Sequence, residues 1–177
     1  MNKFLLAVHV LAAIVAVGPV TVAASMFPPS VRKALAEPGD AQALSTVRVL
    51  HRICRLYAAV GVAVPVFGFA TAKNMGVLGD TWLIVSIALT ALAAVVLAAL
   101  VLPRQTTLME GVEGMEGVEE RIEAGVGAGA EGAANAGVSR VDPRDTARLA
   151  MFTGLFNLLW ATVTILMIVR PGSTTGA

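Results

Sequence analysis

The sequence predicts an all-α membrane protein, a four-helix antiparallel transmembrane bundle, and three observations carry that prediction. Four runs, 4–31, 56–72, 81–102 and 149–169, contain no Asp, Glu, Lys or Arg, and about 20 mostly apolar residues are enough to cross a bilayer. Of the 177 residues, 56% are hydrophobic and 14% charged, whereas about 25% of an average soluble domain is charged. The third observation is charge placement. Ten basic residues (Arg32, Lys33, Arg48, Arg52, Arg55, Arg104, Arg121, Arg140, Arg144, Arg148) flank loops one and three, and three (Lys3, Lys73, Arg170) fall on the other side.

Backbone groups in lipid must bond within the chain, so each run reads as a helix. The whole chain, 1–177, is expected to be one four-span membrane domain with spans at about 4–27, 52–72, 81–102 and 147–169. The positive-inside rule places loops one and three in the cytoplasm of a multi-pass cell-membrane protein, with both termini outside. Lys3 followed by an apolar run and the small residues Val22, Ala23 and Ala24 also fits a signal peptide. Cleavage conflicts with the charge bias, so the first span is expected to stay.

Pro28 and Pro29 are expected to stop the first helix, with Ser30 capping a short turn to Ala36. Asp40 reads as the N-cap of the second helix. Its amphipathic stretch (Leu44, Val47, Leu50, Cys54) is expected to run unbroken into the second span. Residues 73–80, with Asn74, Gly76 and Gly79, suit a tight turn leading to Trp82 at the membrane interface. The third loop holds an imperfect repeat, MEGVEG at 109–114 and MEGVEE at 115–120, then a Gly/Ala tract. Such composition predicts a flexible Gly/Ala/Glu-rich cytoplasmic linker over 105–140, with some helix around the repeat. Asp142 and Pro143 announce the fourth helix.

Several functions are excluded. A net charge of +1 and 5% aromatic residues argue against nucleic acid as a partner. A single cysteine, Cys54, forms no internal disulfide or CxxC pair. No GxSxG, GKS/T or HExxH motif is present, so the reading leans away from an enzyme, and no catalytic residue is assigned.

Three groups of side chains are candidate sites. His9 lies within a span on a face with Ala12, Ala13, Ala16, Val20 and Ala23, the small-residue side that packs inward. It is a candidate cofactor or metal ligand, for haem b or copper, with Met167 or Met75 as second ligand. The alternative is a neutral imidazole bonded to Ser86 or Thr164. Arg48, His51, Arg52 and Arg55 follow i, i+3, i+4, i+7 spacing and form a basic stripe for lipid headgroups or another anion. At the antiparallel bundle's depth scale of about 1.5 Å per residue, His9 and His51 cannot share one iron. Pro19 and Pro65 free the carbonyls of Val15 and Gly61, and Asn157 lies at comparable depth on a stripe with Thr153, Trp160 and Thr164. Asn157 either satisfies a freed carbonyl or builds a midplane site for a small-molecule carrier. The Ala58, Gly61, Pro65, Gly68, Ala72 face permits close helix approach, and span three reads mainly as packing.

The run from Phe4 through His9 to Ala13, the Gly61/Pro65/Gly68 helix, the Gly79-Asp-Thr-Trp82 start of span three and Leu102-Pro103 resemble the integral membrane proteins grouped as domain of unknown function 2269. The similarity covers all four spans and is thin at loop three. The early histidine is also similar to CopD-type copper-resistance domains and HemJ-type haem-binding protoporphyrinogen oxidases. Those resemblances imply a metal or haem role for His9 alone and bring no established activity. Lipid, anionic headgroups, a second copy of the chain or a larger membrane complex are the expected partners.

Overall fold

The computed structural model describes residues 2–37, 39–123 and 142–172, and every regular element among them is helical. The order is α1 (Asn2–Ala36), α2 (Ala41–Gly61), α3 (Ala63–Met75), α4 (Thr81–Val95), a π-helical segment (Val96–Val101), α5 (Leu102–Glu123) and α6 (Pro143–Val169). These join into four rods, each long and apolar enough to cross a membrane. Large apolar side chains point outward, among them Phe4, Leu158 and Ile168, which are 72%, 68% and 76% exposed. Such a surface suits hydrocarbon, and the molecule is a multi-pass, all-α bundle.

Helix α1 does not stop at its prolines: Pro19, Pro28 and Pro29 all lie inside it. Pro28 and Pro29 deprive the Ala24 and Ser25 carbonyls of their intrahelical donors. The helix survives because Phe27, Pro28 and Val31 are fully buried, and α1 packs along α2 more extensively than any other pair of elements. Ser30, expected as a cap, instead donates its hydroxyl to the Met26 carbonyl at 2.9 Å.

Helix α2 starts where its local signals place it. Asp40 Oδ1 accepts from the amides of Gln42 and Ala43 at 2.9 and 3.1 Å. Leu44, Val47, Leu50 and Cys54 are buried along one face. The helix is then interrupted at Val62, whose amide bonds the Ala59 carbonyl at 3.2 Å, three residues back. Pro65 has no N–H to return to Gly61, so the unbroken second span of the sequence reading becomes two helices. Gly76, at φ 71°, ends α3, and the Val77 amide reaches back to Ala72 at 3.2 Å. That five-residue return is a Schellman cap. Across the turn, the Trp82 indole donates to Asp80 Oδ2 at 2.9 Å.

The third rod holds a feature no periodicity foretold. Before the π segment the interior positions include Trp82, Ser86 and Ala93; from its last residue onward they are Val101, Gln105, Leu108 and Val112. On a straight α-helix at about 100° per residue, the second set would sit about a quarter-turn round from the first. A π turn accommodates an additional residue and removes that offset.

Helix α5 continues to Glu123, so the helix expected around the Met109–Glu120 repeat is present, and residues 105–123 of the expected linker are helical. Leu108 and Val112 are buried against the core, and Arg48 of α2 bonds Glu113 at 2.7 Å with Glu116 3.8 Å away. Positions 124–141, the rest of the expected linker, lie outside the described residues. In α6, Asp142 accepts from the Arg144 amide at 2.8 Å. Its interior residues Thr146, Leu149, Thr153 and Phe156 recur at three- and four-residue intervals, and Val163 follows two turns on. The helix ends at Arg170, left-handed at φ 44°, whose guanidinium lies 5.7 Å from the Trp82 ring centre.

Candidate functional site

Polar side chains from α1, α2, α5 and α6 meet in one layer of the bundle. Asn157 Nδ2 donates to Ser25 Oγ at 3.2 Å, which fixes α6 against α1. Two residues on, the Phe27 ring lies 6.2 Å from the His51 ring, centre to centre. One turn along α2 from His51, Cys54 Sγ accepts from Gln105 Nε2 at 3.5 Å. At about 1.5 Å rise per residue, Ser25 to Phe27, His51 to Cys54 and Thr153 to Asn157 each span about 3–6 Å of axis. The layer is therefore roughly two helical turns thick.

Four of its polar members are deeply buried, while Asn157 is half-buried and Ser25 exposed, and several are incompletely bonded. His51 is 5% exposed, Thr153 2%, and Gln105 and Cys54 0%. Among the described residues, both ring nitrogens of His51, Gln105 Oε1, Thr153 Oγ1 and Asn157 Oδ1 are buried with no hydrogen-bond partner. Each such group in a native interior costs about 1–3 kcal/mol. Arg104 Nη1 is also buried and unpartnered, while its guanidinium lies 4.3 Å from the Phe152 ring centre.

His51 thus leaves the basic stripe the spacing suggested. Leu44, Val47, His51 and Cys54 share the buried face, while Arg48, Arg52 and Arg55 are exposed. The i, i+3, i+4 pattern places His51 on the edge of the stripe and of the core face alike, and packing against Phe27 takes it inward. Arg48 is committed to Glu113 and Glu116, which leaves Arg52 and Arg55 facing outward.

Asn157 meets the Ser25 hydroxyl, not a proline-freed carbonyl. Asn157 itself is half-buried, Thr153 lies in the interior and Trp160 packs against the core, but Thr164 is exposed and bonds the Trp160 carbonyl at 2.9 Å. Gln105 was not among the sequence-derived candidates, nor was Cys54 placed in a site. The signal for both was interior periodicity: Cys54 continues Leu44 and Val47, and Gln105 precedes Leu108 and Val112 on a helix assumed to have ended.

His9 is elsewhere. It is 8% exposed, and its Nδ1 lies 3.1 Å from the Val64 carbonyl oxygen of α3. A carbonyl only accepts, so Nδ1 is the donor in this bond. Neither expected hydroxyl is its partner, because Ser86 donates to Trp82 O at 2.8 Å and Thr164 to Trp160 O. Hydroxyls on helices are drawn to the carbonyl four residues back. Met167 packs with Ala72, Trp82 and Leu83. Eighteen residues of α1 separate His9 from Phe27, about 27 Å at helical rise.

Fold and layer together define a polytopic helical membrane protein with a polar interior layer towards the end where α2 begins. No family model, curated protein or solved structure matches the chain.

Proposed function

We propose that this protein is a multi-pass cell-membrane protein that takes a small ligand into its polar layer, in a binding and carrier role rather than a catalytic one. The observation that supports this reading is the set of unpartnered atoms on His51, Gln105, Thr153 and Asn157, gathered at one level from three rods. A ligand with both donors and acceptors satisfies them, because Thr153 offers a hydroxyl proton while Gln105 and Asn157 offer carbonyl oxygens. Interruptions in two rods, at Val62 and at Val96–Val101, lie in helices that border the layer and supply places to flex. In this reading His9 clamps α1 to α3, and Arg52 and Arg55 meet anionic headgroups. The basic loops one and three face the cytoplasm and both termini lie outside.

Thermal unfolding of the protein in lipid nanodiscs, with a panel of small amides, polyols and amino acids, tests the binding role. A panel member raises the unfolding midpoint of the wild type, and Asn157→Leu abolishes that rise while the helical content stays unchanged. A panel that moves wild type and Asn157→Leu alike sinks the reading. A reporter fused at Gly127 tests the orientation, and an external signal there overturns it.

A further inference from the structure

We propose that His51 and Cys54 form a two-coordinate site for a soft monovalent metal ion of the copper(I) class. The proposal rests on the reading of the polar layer as a binding site and assigns its His51–Cys54 corner a second class of ligand. His51 and Cys54 stand three residues apart on α2, an interval that sets side chains side by side on one helix face. Cys54 is fully buried, and His51 is 5% exposed with both nitrogens lacking a partner. Gln105 borders the site: its Nε2 donates to Cys54 Sγ at 3.5 Å.

Charge and ligand count select the ion. Among the described residues no three His, Cys, Asp or Glu side chains gather as metal ligands, so the four-ligand demand of structural zinc is unmet. A soft monovalent ion is suited by thiolate and imidazole donors. On binding, the Cys54 thiol releases its proton to solvent and the S–H bond is replaced by a metal–sulfur bond. One thiolate and one monovalent cation leave the site neutral, whereas a divalent ion would leave a net positive charge in a low-dielectric interior. Gln105 donates to the metal-bound sulfur, as outer-shell groups do. His9 and Met167 take no part.

Anaerobic titration of the full-length protein in nanodiscs with copper(I), against the chromophoric competitor bicinchoninate, tests the site. The wild type removes a single copper(I) per chain from the competitor, and X-ray absorption shows one sulfur and one nitrogen around it. Cys54→Ser and His51→Gln leave the copper with the competitor. Gln105→Leu weakens binding about 10-fold, and His9→Ala binds as the wild type does. Far-UV circular dichroism and gel filtration establish that the variants are folded, and the wild-type titration decides the matter without them. If the competitor keeps all the copper from the wild type, or if Cys54→Ser binds as tightly as wild type, the proposal is overturned. An Asn157-dependent shift by an organic ligand would then leave the binding reading standing alone.

Discussion

The imidazole of His9 occupies the space a side chain at position 68 would need. A Cβ built on Gly68 would come within 2.8 Å of His9 Cε1 and 3.2 Å of Nδ1. The glycine is therefore the socket, and the Nδ1 bond to Val64 one turn earlier is the latch. Gly68→Ala is expected to destabilise the bundle by about 1–3 kcal/mol, the usual range for overpacking. His9→Ala removes the opposing ring, so the double variant should lose less than the two single losses combined. Reversible unfolding in mixed micelles measures the cycle, and strict additivity would contradict the contact.

The unpartnered oxygen of Gln105 sets up an exchange of stability for function. Gln105→Leu replaces a buried, half-bonded amide with a side chain of similar size and nothing to satisfy. In the ligand-free protein this substitution is expected to be stabilising by about 1–3 kcal/mol, while binding in the layer falls. A lowered unfolding midpoint in Gln105→Leu would mean that Oε1 already has a partner.

Arg48 ties α2 to the repeat-bearing part of α5. Its pairs with Glu113 and Glu116 are about half exposed, so each is worth only about 0.2–1 kcal/mol and weakens with salt. Arg48→Glu places three carboxylates together and should accelerate hydrogen exchange across the amides from Leu108 to Glu116. Exchange unchanged by charge reversal at any ionic strength would remove the pairs from the account of why α5 extends so far.

Asp40 predicts a pH dependence. The Ala43 amide first, then that of Gln42 and the nearby Lys33, hold its carboxyl below the ordinary value of 3.8. A carboxyl with a lowered folded-state pKa stabilises fully above its unfolded value, and that contribution disappears as the pH falls through the folded value. Wild type should therefore exceed Asp40→Ala in unfolding midpoint at neutral pH and lose the margin in acid below 3.8. A margin that persists in strong acid would show that the carboxylate is not the cap.

What the sequence disclosed was local. Charge-free runs marked the rods, Asp40 and Asp142 marked two helix starts, and the Leu44, Val47, Cys54 interval marked a buried face. What it concealed depends on residues far apart in the chain. Pro28 and Pro29 read as a stop because their helix is held by packing on α2. The Met109–Glu120 repeat read as linker with only some helix because its glycines mask the interval between Leu108 and Val112. Its charge partner, Arg48, stands 65 residues from Glu113. His51 was ambiguous on spacing alone, and only the ring of Phe27 decides which way it turns.

The π segment gives span three a phase as well as a length. Removing one residue between Val96 and Val101 would restore α-helical winding and keep the rod just as apolar. It would also leave the chain beyond Leu102 facing as it does now, because the wider turn and the extra residue go together. Adding one further residue at α-helical winding would instead swing that chain by about 100°, aiming Gln105 past Cys54 and Glu113 past Arg48. A single deletion in this segment should thus be tolerated where an insertion in the rod is not, because the segment acts as a rotational spacer between the two halves of the molecule.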